Sequence, residues 1–380
     1  MRHLRVFSCF VVLLFAFTTC RKSETAEIVV GHFASMTGSQ ATFGQSMDNG
    51  IRMAFDDANA AGGIGGRKLR LVTEDDQSKA EEAANAVQKL LTRDNVIAVF
   101  GEASSSPSLA AAPICQKAGV PMITPSATNP AVTLVGDYIF RTCFIDPYQG
   151  EAMANYLTDR LHVTRAAMLV DNKADYSRGL AEYFEKTFTA RGGRIVSKLS
   201  YQGGDSDFRP PLTAIKASNP EVIFLPGYYT DVAQIVSQAR DLGITAPFAG
   251  GDGWDSPKLM EAGGSAMEGC FFSDHYFVDD QAPAVRAFAQ RYESKYHVRP
   301  DALAALGYDA AGVLLNAISH SGQNLNARSV RDALAHVKKY PGVTGNLSFD
   351  KDRNPTGKRL VLLEIKGGRF QIKDAYEPRS

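Results

Sequence analysis

Residues 96–113 read VIAVFGEASSSPSLAAAP. The apolar run 96–100 has the length and composition of a strand buried on both faces. Gly101 ends it. Ser106-Pro107 then reads as a helix start, with Ser at the cap and Pro at the first helical position. A buried strand that turns through a polar loop into a helix is the repeating step of a parallel sheet. The hydroxyls of Ser104, Ser105 and Ser106 sit where a helix leaves its first N–H groups unpaired and its dipole positive. Such a loop either caps its own helix or holds an anion, and the residues alone leave both readings open.

Outward from this stretch the same rhythm repeats. Residues 28–33 form a strand, and a helix with Met47, Ile51, Ala54, Phe55 and Ala58 on one face runs to Gly62-Gly63. A strand over 69–73 precedes a helix whose inner face is Ala80, Ala83, Ala84, Val87, Leu90 and Leu91. Ser78 and Glu81 form a capping box at its start. Another strand spans 120–124. After residue 147 the order restarts: strands over 165–170, 194–200 and 221–225 alternate with helices over 177–190, 208–217 and 231–242. Arg191-Gly192-Gly193 stands in the second half where Ala61-Gly62-Gly63 stands in the first. The expected fold is α/β: two Rossmann-like lobes, each a parallel sheet flanked by helices, joined by a hinge. In such sheets ligands bind beyond the carboxyl ends of strands. Two lobes with those ends facing make a cleft that can close on a small molecule.

The whole chain is 380 residues, 44% hydrophobic and 22% charged, which suits a soluble two-domain protein. Its 41 basic and 41 acidic residues give no electrostatic reason to expect nucleic acid. With seven His, no His-Glu-x-x-His and no Cys-x-x-Cys, neither a metal nor a cofactor is expected. There is no Gly-x-Ser-x-Gly elbow and no P-loop, and Gly63-Ile64-Gly65-Gly66-Arg67-Lys68 lacks the last Gly of a dinucleotide fingerprint, so an enzyme is not expected. The N-terminus carries Arg2 and Arg5 before the apolar run 6–17, which is too short to span a bilayer and suits a signal peptide over residues 1–20. Phe17-Thr18-Thr19-Cys20 resembles a bacterial lipobox, with Phe17 and Thr19 replacing its usual residues; Cys20 would carry the lipid. Cys115, Cys143 and Cys270 read as buried thiols.

Three further loops follow strands. Residues 124–130 (TPSATNP) offer hydroxyls between two prolines, which stiffen the segment. Residues 227–231 (GYYTD) open a helix. Residues 250–255 (GGDGWD) place Asp252 and the only Trp, Trp254, in a Gly-rich loop that lets backbone approach a ligand. Asp252 alone reads equally as a turn residue or a ligand.

Seven stretches in register carry a resemblance over almost the whole chain. They are residues 33–69, 101–113 (GEASSSPSLAAAP), 121–130 (PMITPSATNP), 138–146 (YIFRTCFID), 175–181 (DYSRGLA), 226–244 (PGYYTDVAQIVSQARDLGI) and 250–259 (GGDGWDSPKL). Together they resemble the leucine/isoleucine/valine-binding family of type I periplasmic binding proteins, the solute receptors of ABC importers. The resemblance implies a ligand clamp at Ser105, Ser126, Ala127, Thr128, Tyr228 and Asp252. Ser105 and Thr128 would hold an α-carboxylate, and the Ser126 carbonyl and Asp252 an α-ammonium, with Asp replacing the family's Glu. Tyr176, Phe43 and Trp254 would line the side-chain pocket. Gln77 and Ser104 stand where some members have a disulfide, so that bridge is absent. The family's interleaved lobes imply lobe one as 27–146 plus 276–355 and lobe two as 147–275 plus 356–380.

The resemblance thus implies a monomeric amino-acid receptor outside the cytoplasm, delivering to ABC permease subunits and touching the membrane only through its lipid. The alternatives are an amide or urea receptor, or a sensor feeding a chemoreceptor. A zwitterion needs donors, an anion and an apolar wall, and these loops supply all three.

Overall fold

The computed structural model describes residues 27–322 and 324–376. The expected signal peptide and Cys20 lie outside the described residues. Strands β1 (Ile28–Ala34), β2 (Leu69–Asp75), β3 (Val99–Phe100), β4 (Met122–Thr124) and β5 (Ile139–Arg141) form one parallel sheet in the order β2-β1-β3-β4-β5. Between them run α1 (Ala41–Ala60), α2 (Ala80–Thr92), α3 (Ser105–Ala118) and the single turn α4 (Ala131–Leu134). The next strands are β6 (Arg165–Asp171), β7 (Arg194–Tyr201), β8 (Val222–Phe224), β9 (Phe248–Gly250) and β10 (Phe271–Asp274). They form a second parallel sheet in the order β7-β6-β8-β9-β10, the same winding as the first. Helices α5 (Asp146–Asp159), α6 (Asp175–Ala190), α7 (Arg209–Ala217), α8 (Tyr229–Asp241) and the short α9 (Pro257–Gly263) belong to this half.

The chain then crosses back. Helices α10 (Pro283–Tyr296), α11 (Ala302–His320) and α12 (Ala327–Ala335) follow, with a small sheet of β11 (Tyr340–Gly342), β12 (Gly345–Phe349) and β13 (Pro355–Thr356). Finally β14 (Leu360–Lys366) and β15 (Arg369–Tyr376) add to the second sheet, antiparallel beside β10. α11 packs closely on α1. A Cβ on Gly50 would overlap the Ala304 carbonyl, so that approach depends on glycine. It brings Phe43 at the start of α1 and Leu303 at the start of α11 to one place.

Several expected details differ. Ser78 caps nothing: Lys79 is the cap of α2 and makes no side-chain bond there. The Ser78 hydroxyl instead accepts from Gln40 N at 3.1 Å and donates to Thr37 O at 3.2 Å, so the loop at 37–40 takes it from the helix. Ala86, not Ala80, completes the inner face of α2. Ser106 is inside α3 rather than at its cap. Its hydroxyl accepts from Asp175 N at 3.0 Å, satisfying an unpaired donor at the start of α6, on the other sheet's side. The three described cysteines are buried and free, as read from the sequence. Burial pushes the thiols of Cys115 and Cys143 up to about 12.

Candidate functional site

The motif-bearing loops follow the third and fourth strands of each sheet: β3 and β4 in the first, β8 and β9 in the second. Because the two sheets wind alike, these loops are structural counterparts. Their residues meet around a small closed cavity of about 10 Å³, room for about one water, lined by Phe43, Ala103, Ser105, Ser126, Thr128, Tyr176, Tyr228, Asp252, Gly253 and Leu303. That is far below the ~300–1,000 Å³ of sites for drug-sized molecules, so a solute larger than water enters only when the two sides part.

On the first-sheet side, Ser105 is the first residue of α3, so its N–H has no partner within the helix. Its hydroxyl accepts from Asn129 N at 3.3 Å, which joins the two hydroxyl loops. The loop 124–130 is held from beneath by Arg141, whose guanidinium is fully buried. It donates to Ala127 O at 2.5 Å, Asn129 O at 2.8 Å and Pro130 O at 3.3 Å. Thr124 Oγ1 adds a turn bond, accepting from Ala127 N at 2.9 Å. Prolines alone therefore do not stiffen this loop.

On the second-sheet side, Tyr228 precedes α8 and stacks on Tyr176 of α6, with centroids 5.1 Å apart. Phe43 meets Tyr228 edge-on at 6.2 Å and Tyr229 at 5.0 Å. The Tyr176 hydroxyl accepts from Gly253 N at 3.1 Å. The glycines of 250–253 have a different reason from the expected one. A Cβ on Gly250 would enter the Trp254 ring, and one on Gly251 would overlap the Tyr176 hydroxyl. Those two make room for side chains, whereas Gly253 lines the cavity and a Cβ there would overlap the Gly227 carbonyl.

Asp252 is the acid of the cavity. Its Oδ1 accepts from Gln149 Nε2 at 3.0 Å, and its Oδ2 lies 3.1 Å from His275 Nε2. Each oxygen keeps a second lone-pair direction. Gln149 Nε2 also donates to Asp146 Oδ1 at 3.0 Å. Burial pushes the Asp146 carboxyl up to about 7, with Asp252 adding repulsion and hydrogen bonds from Thr128 and Gln149 opposing it. Asp252 thus has one amide, one imidazole and one second acid behind it. None of Gln149, His275 and Asp146 was singled out from the sequence, because no local pattern links residues this far apart. Ala103, Gly253 and Leu303 were missed for the same reason.

Two expected site residues lie elsewhere. Trp254 is fully buried behind the loop, donates through Nε1 to Leu225 O at 3.1 Å and packs on Phe272. An indole that large fills the core beside Gly250 and leaves no face for the cavity. Ala127 points into the apolar cluster with Ala111 and Val132, and Arg141 takes its carbonyl.

Several hydrogen bonds join the two sides. Besides Ser106 with Asp175, Asn129 Nδ2 donates to Asp175 O at 3.0 Å, Thr42 and Ser256 hydroxyls meet at 2.9 Å, and Ala302 N donates to Asp255 at 2.6 Å. Two lobes pinned in this way around a small, mixed polar and aromatic cavity define a hinged solute receptor.

The chain matches the family model described as "Periplasmic binding protein" over residues 27–369, and it belongs to that family. It is similar to the Leu/Ile/Val-binding protein BraC3 of Rhizobium johnstonii, 29% identical, with 91% of this chain and 93% of that protein covered. An amino acid binding protein of Pseudomonas aeruginosa is 31% identical over 89% of this chain and 90% of its own. Among solved structures, the leucine binding protein LivK of Thermotoga maritima is 36% identical with a TM-score of 0.88, covering 92% of this chain and 99% of that one. LivJ of Streptococcus pneumoniae, solved in complex with isoleucine, is 34% identical with a TM-score of 0.86, covering 93% and 100%. The fold is the type I periplasmic binding protein fold. The protein is an extracytoplasmic solute receptor of an ABC importer and not an enzyme.

Proposed function

We propose that the cavity binds a free L-amino acid with a branched-chain or other apolar side chain and presents it to the permease subunits of an ABC importer. One observation carries this: a single small cavity combines a carboxylate, the Ser105 hydroxyl at a helix N-terminus beside the loop hydroxyls of Ser126 and Thr128, and aromatic walls. Asp252 pairs with the ammonium, beside the Ser126 carbonyl. Ser105 and Thr128 hold the carboxylate with hydroxyl and backbone N–H. Phe43, Tyr176, Tyr228 and Leu303 enclose the side chain. An amide or urea has no cation to meet Asp252 and is disfavoured.

The lobes in this reading are 27–146 with 276–355 and 147–275 with 356–380. Two features support it: β1–β5 all fall in the first and β6–β10, β14 and β15 all in the second. The protein works as a monomer, and the lobes rotate about the crossings to admit ligand. The test is a thermal-shift series over twenty amino acids and small amides. An apolar amino acid at 100 times its Kd should raise stability by about 2.7 kcal/mol. A shift with amides alone would reject the reading.

Export with removal of residues 1–19 and lipid on Cys20 belongs to the same proposal, supported by the short apolar run that ends at cysteine. Mass spectrometry of the membrane fraction should find a lipidated Cys20 at the N-terminus. A mature chain starting beyond it would remove the anchor and leave export standing.

A further inference from the structure

His275 follows β10, where the chain leaves the second sheet to cross to the other side. Its side chain is buried, stacked on Phe144 with centroids 3.5 Å apart. Nε2 faces Asp252 Oδ2, while Nδ1 is buried with no hydrogen-bond partner among the described residues. A carboxylate only accepts, so Nε2 carries the hydrogen and Nδ1 is a bare lone pair. Protonation would add an N–H at Nδ1 with nothing to receive it.

We infer that His275 is a positioning residue for the cation subsite, holding Asp252 as an aimed, uncompensated anion only while the imidazole is neutral. A neutral His275 orients Asp252 and leaves its charge for the ligand. A protonated one supplies the positive charge itself and competes with the ligand's ammonium. This rests on the amino-acid reading of the cavity.

The surroundings favour the neutral form. Lys358, 3.6 Å from Asp309, lies within electrostatic reach of the ring, and the region beside it holds the Arg359–Asp280 pair at 2.6 Å. From α5, Asp146 acts on Asp252 through Gln149, and from β10 the buried Asp274 accepts from His275 N at 2.7 Å and repels both Asp252 and Asp255. Burial pushes the imidazole below 6.5, Lys358 adds to this, and only Asp252 opposes it. The sign follows. An opened, hydrated cleft returns His275 toward ~6.5, so the closed form holds fewer protons and closure releases one. Affinity is therefore full above about 6.5 and falls by up to about tenfold per pH unit below it. A receptor facing the outside of the cell would then release its ligand in acid.

Calorimetric titration with L-leucine and L-isoleucine at pH 7.5 and 5.5 tests this on wild type, His275→Gln and His275→Leu, with melting checked at both pH values. Wild type should lose about tenfold on acidification. His275→Gln keeps a donor and cannot titrate, so its affinity should change far less with pH. His275→Leu lacks the donor and should bind roughly tenfold or more weaker at pH 7.5. Equal pH profiles in wild type and His275→Gln would overturn the proposal. Imidazole ¹⁵N NMR on the ligand-free protein separates this from the amino-acid reading. If neither amino acid binds, that reading fails, and the pairing is still read directly. His275 should titrate about one unit lower in Asp252→Asn than in wild type, since it loses its anion. An unmoved titration would show that the two are uncoupled and would reject the role.

Discussion

Asp252→Ala is expected to weaken amino-acid binding by tens- to thousands-fold. The carboxylate is 8% exposed, and the closed cavity around it admits little water, so the ligand's ammonium would be left without its anion. Removing one partner of a buried, hydrogen-bonded charge pair costs roughly 2–5 kcal/mol, which is that range of Kd. The substitution also strands donors of Gln149 and His275, which now point at Asp252 from 3.0 and 3.1 Å. Some loss of melting temperature therefore accompanies the loss of affinity. Ser105→Ala should cost less, about 1.5–3 kcal/mol at most, because backbone N–H groups at the start of α3 still face the carboxylate. A purely structural Asp252 would give the reverse pattern, lower melting with affinity almost kept. Calorimetric titration and melting of both variants separate the two. If Asp252→Ala binds L-leucine and L-isoleucine within about twofold of wild type, the ammonium assignment is wrong.

The strand-to-helix rhythm was legible because burial on both faces and helical periodicity are local signals. It located β1, β6 and the loops after β3, β4, β8 and β9, and with them the neighbourhood of Ser105, Thr128, Tyr228 and Asp252. What each polar side chain does in those loops was less legible. Ser106 has the local look of a cap, yet its hydroxyl serves α6, which lies 69 residues on. Ser78 is drawn off by the loop at 37–40 in the same way. Both cases are competition for one hydroxyl, and the tertiary partner wins because the helix start can adjust its own bonds. Trp254 was misplaced for a different reason. A lone Trp beside glycines suggests an exposed binding face, but an indole of that volume gains more from full burial, and Gly250 supplies the room. Gln149 and His275 left no trace at all, since their roles arise only when α5 and β10 reach the same point.

Arg141→Met is expected to lower stability by about 2–4 kcal/mol, a fall of roughly 3–6 °C in melting temperature. Methionine keeps most of the side-chain volume and removes every donor. The carbonyls of Ala127, Asn129 and Pro130 then lose their shared charged donor, a bond worth ~1.5–3 kcal/mol at most each, although Ala127 O keeps Cys143 Sγ at 3.4 Å and Asn129 O keeps Val132 N at 3.2 Å. An opposing effect exists. The guanidinium is fully buried and has no ion-pair partner among the described residues, and burial pulls its pKa down, so removing it also relieves a desolvation cost. Replacing buried charge by an apolar chain can be neutral for that reason. The lost donors still decide the balance, because Ala127 O is buried and cannot turn to water, while the half-buried Asn129 and Pro130 carbonyls recover only part of their loss. The same loop carries Ser126 and Thr128, so amino-acid affinity should fall at least tenfold with it. Melting unchanged within about 2 °C, with affinity kept, would mean that Pro125, Pro130 and the Thr124 turn bond hold the loop unaided. The stiffness would then come from the local sequence after all, and Arg141 would be a passenger in the core.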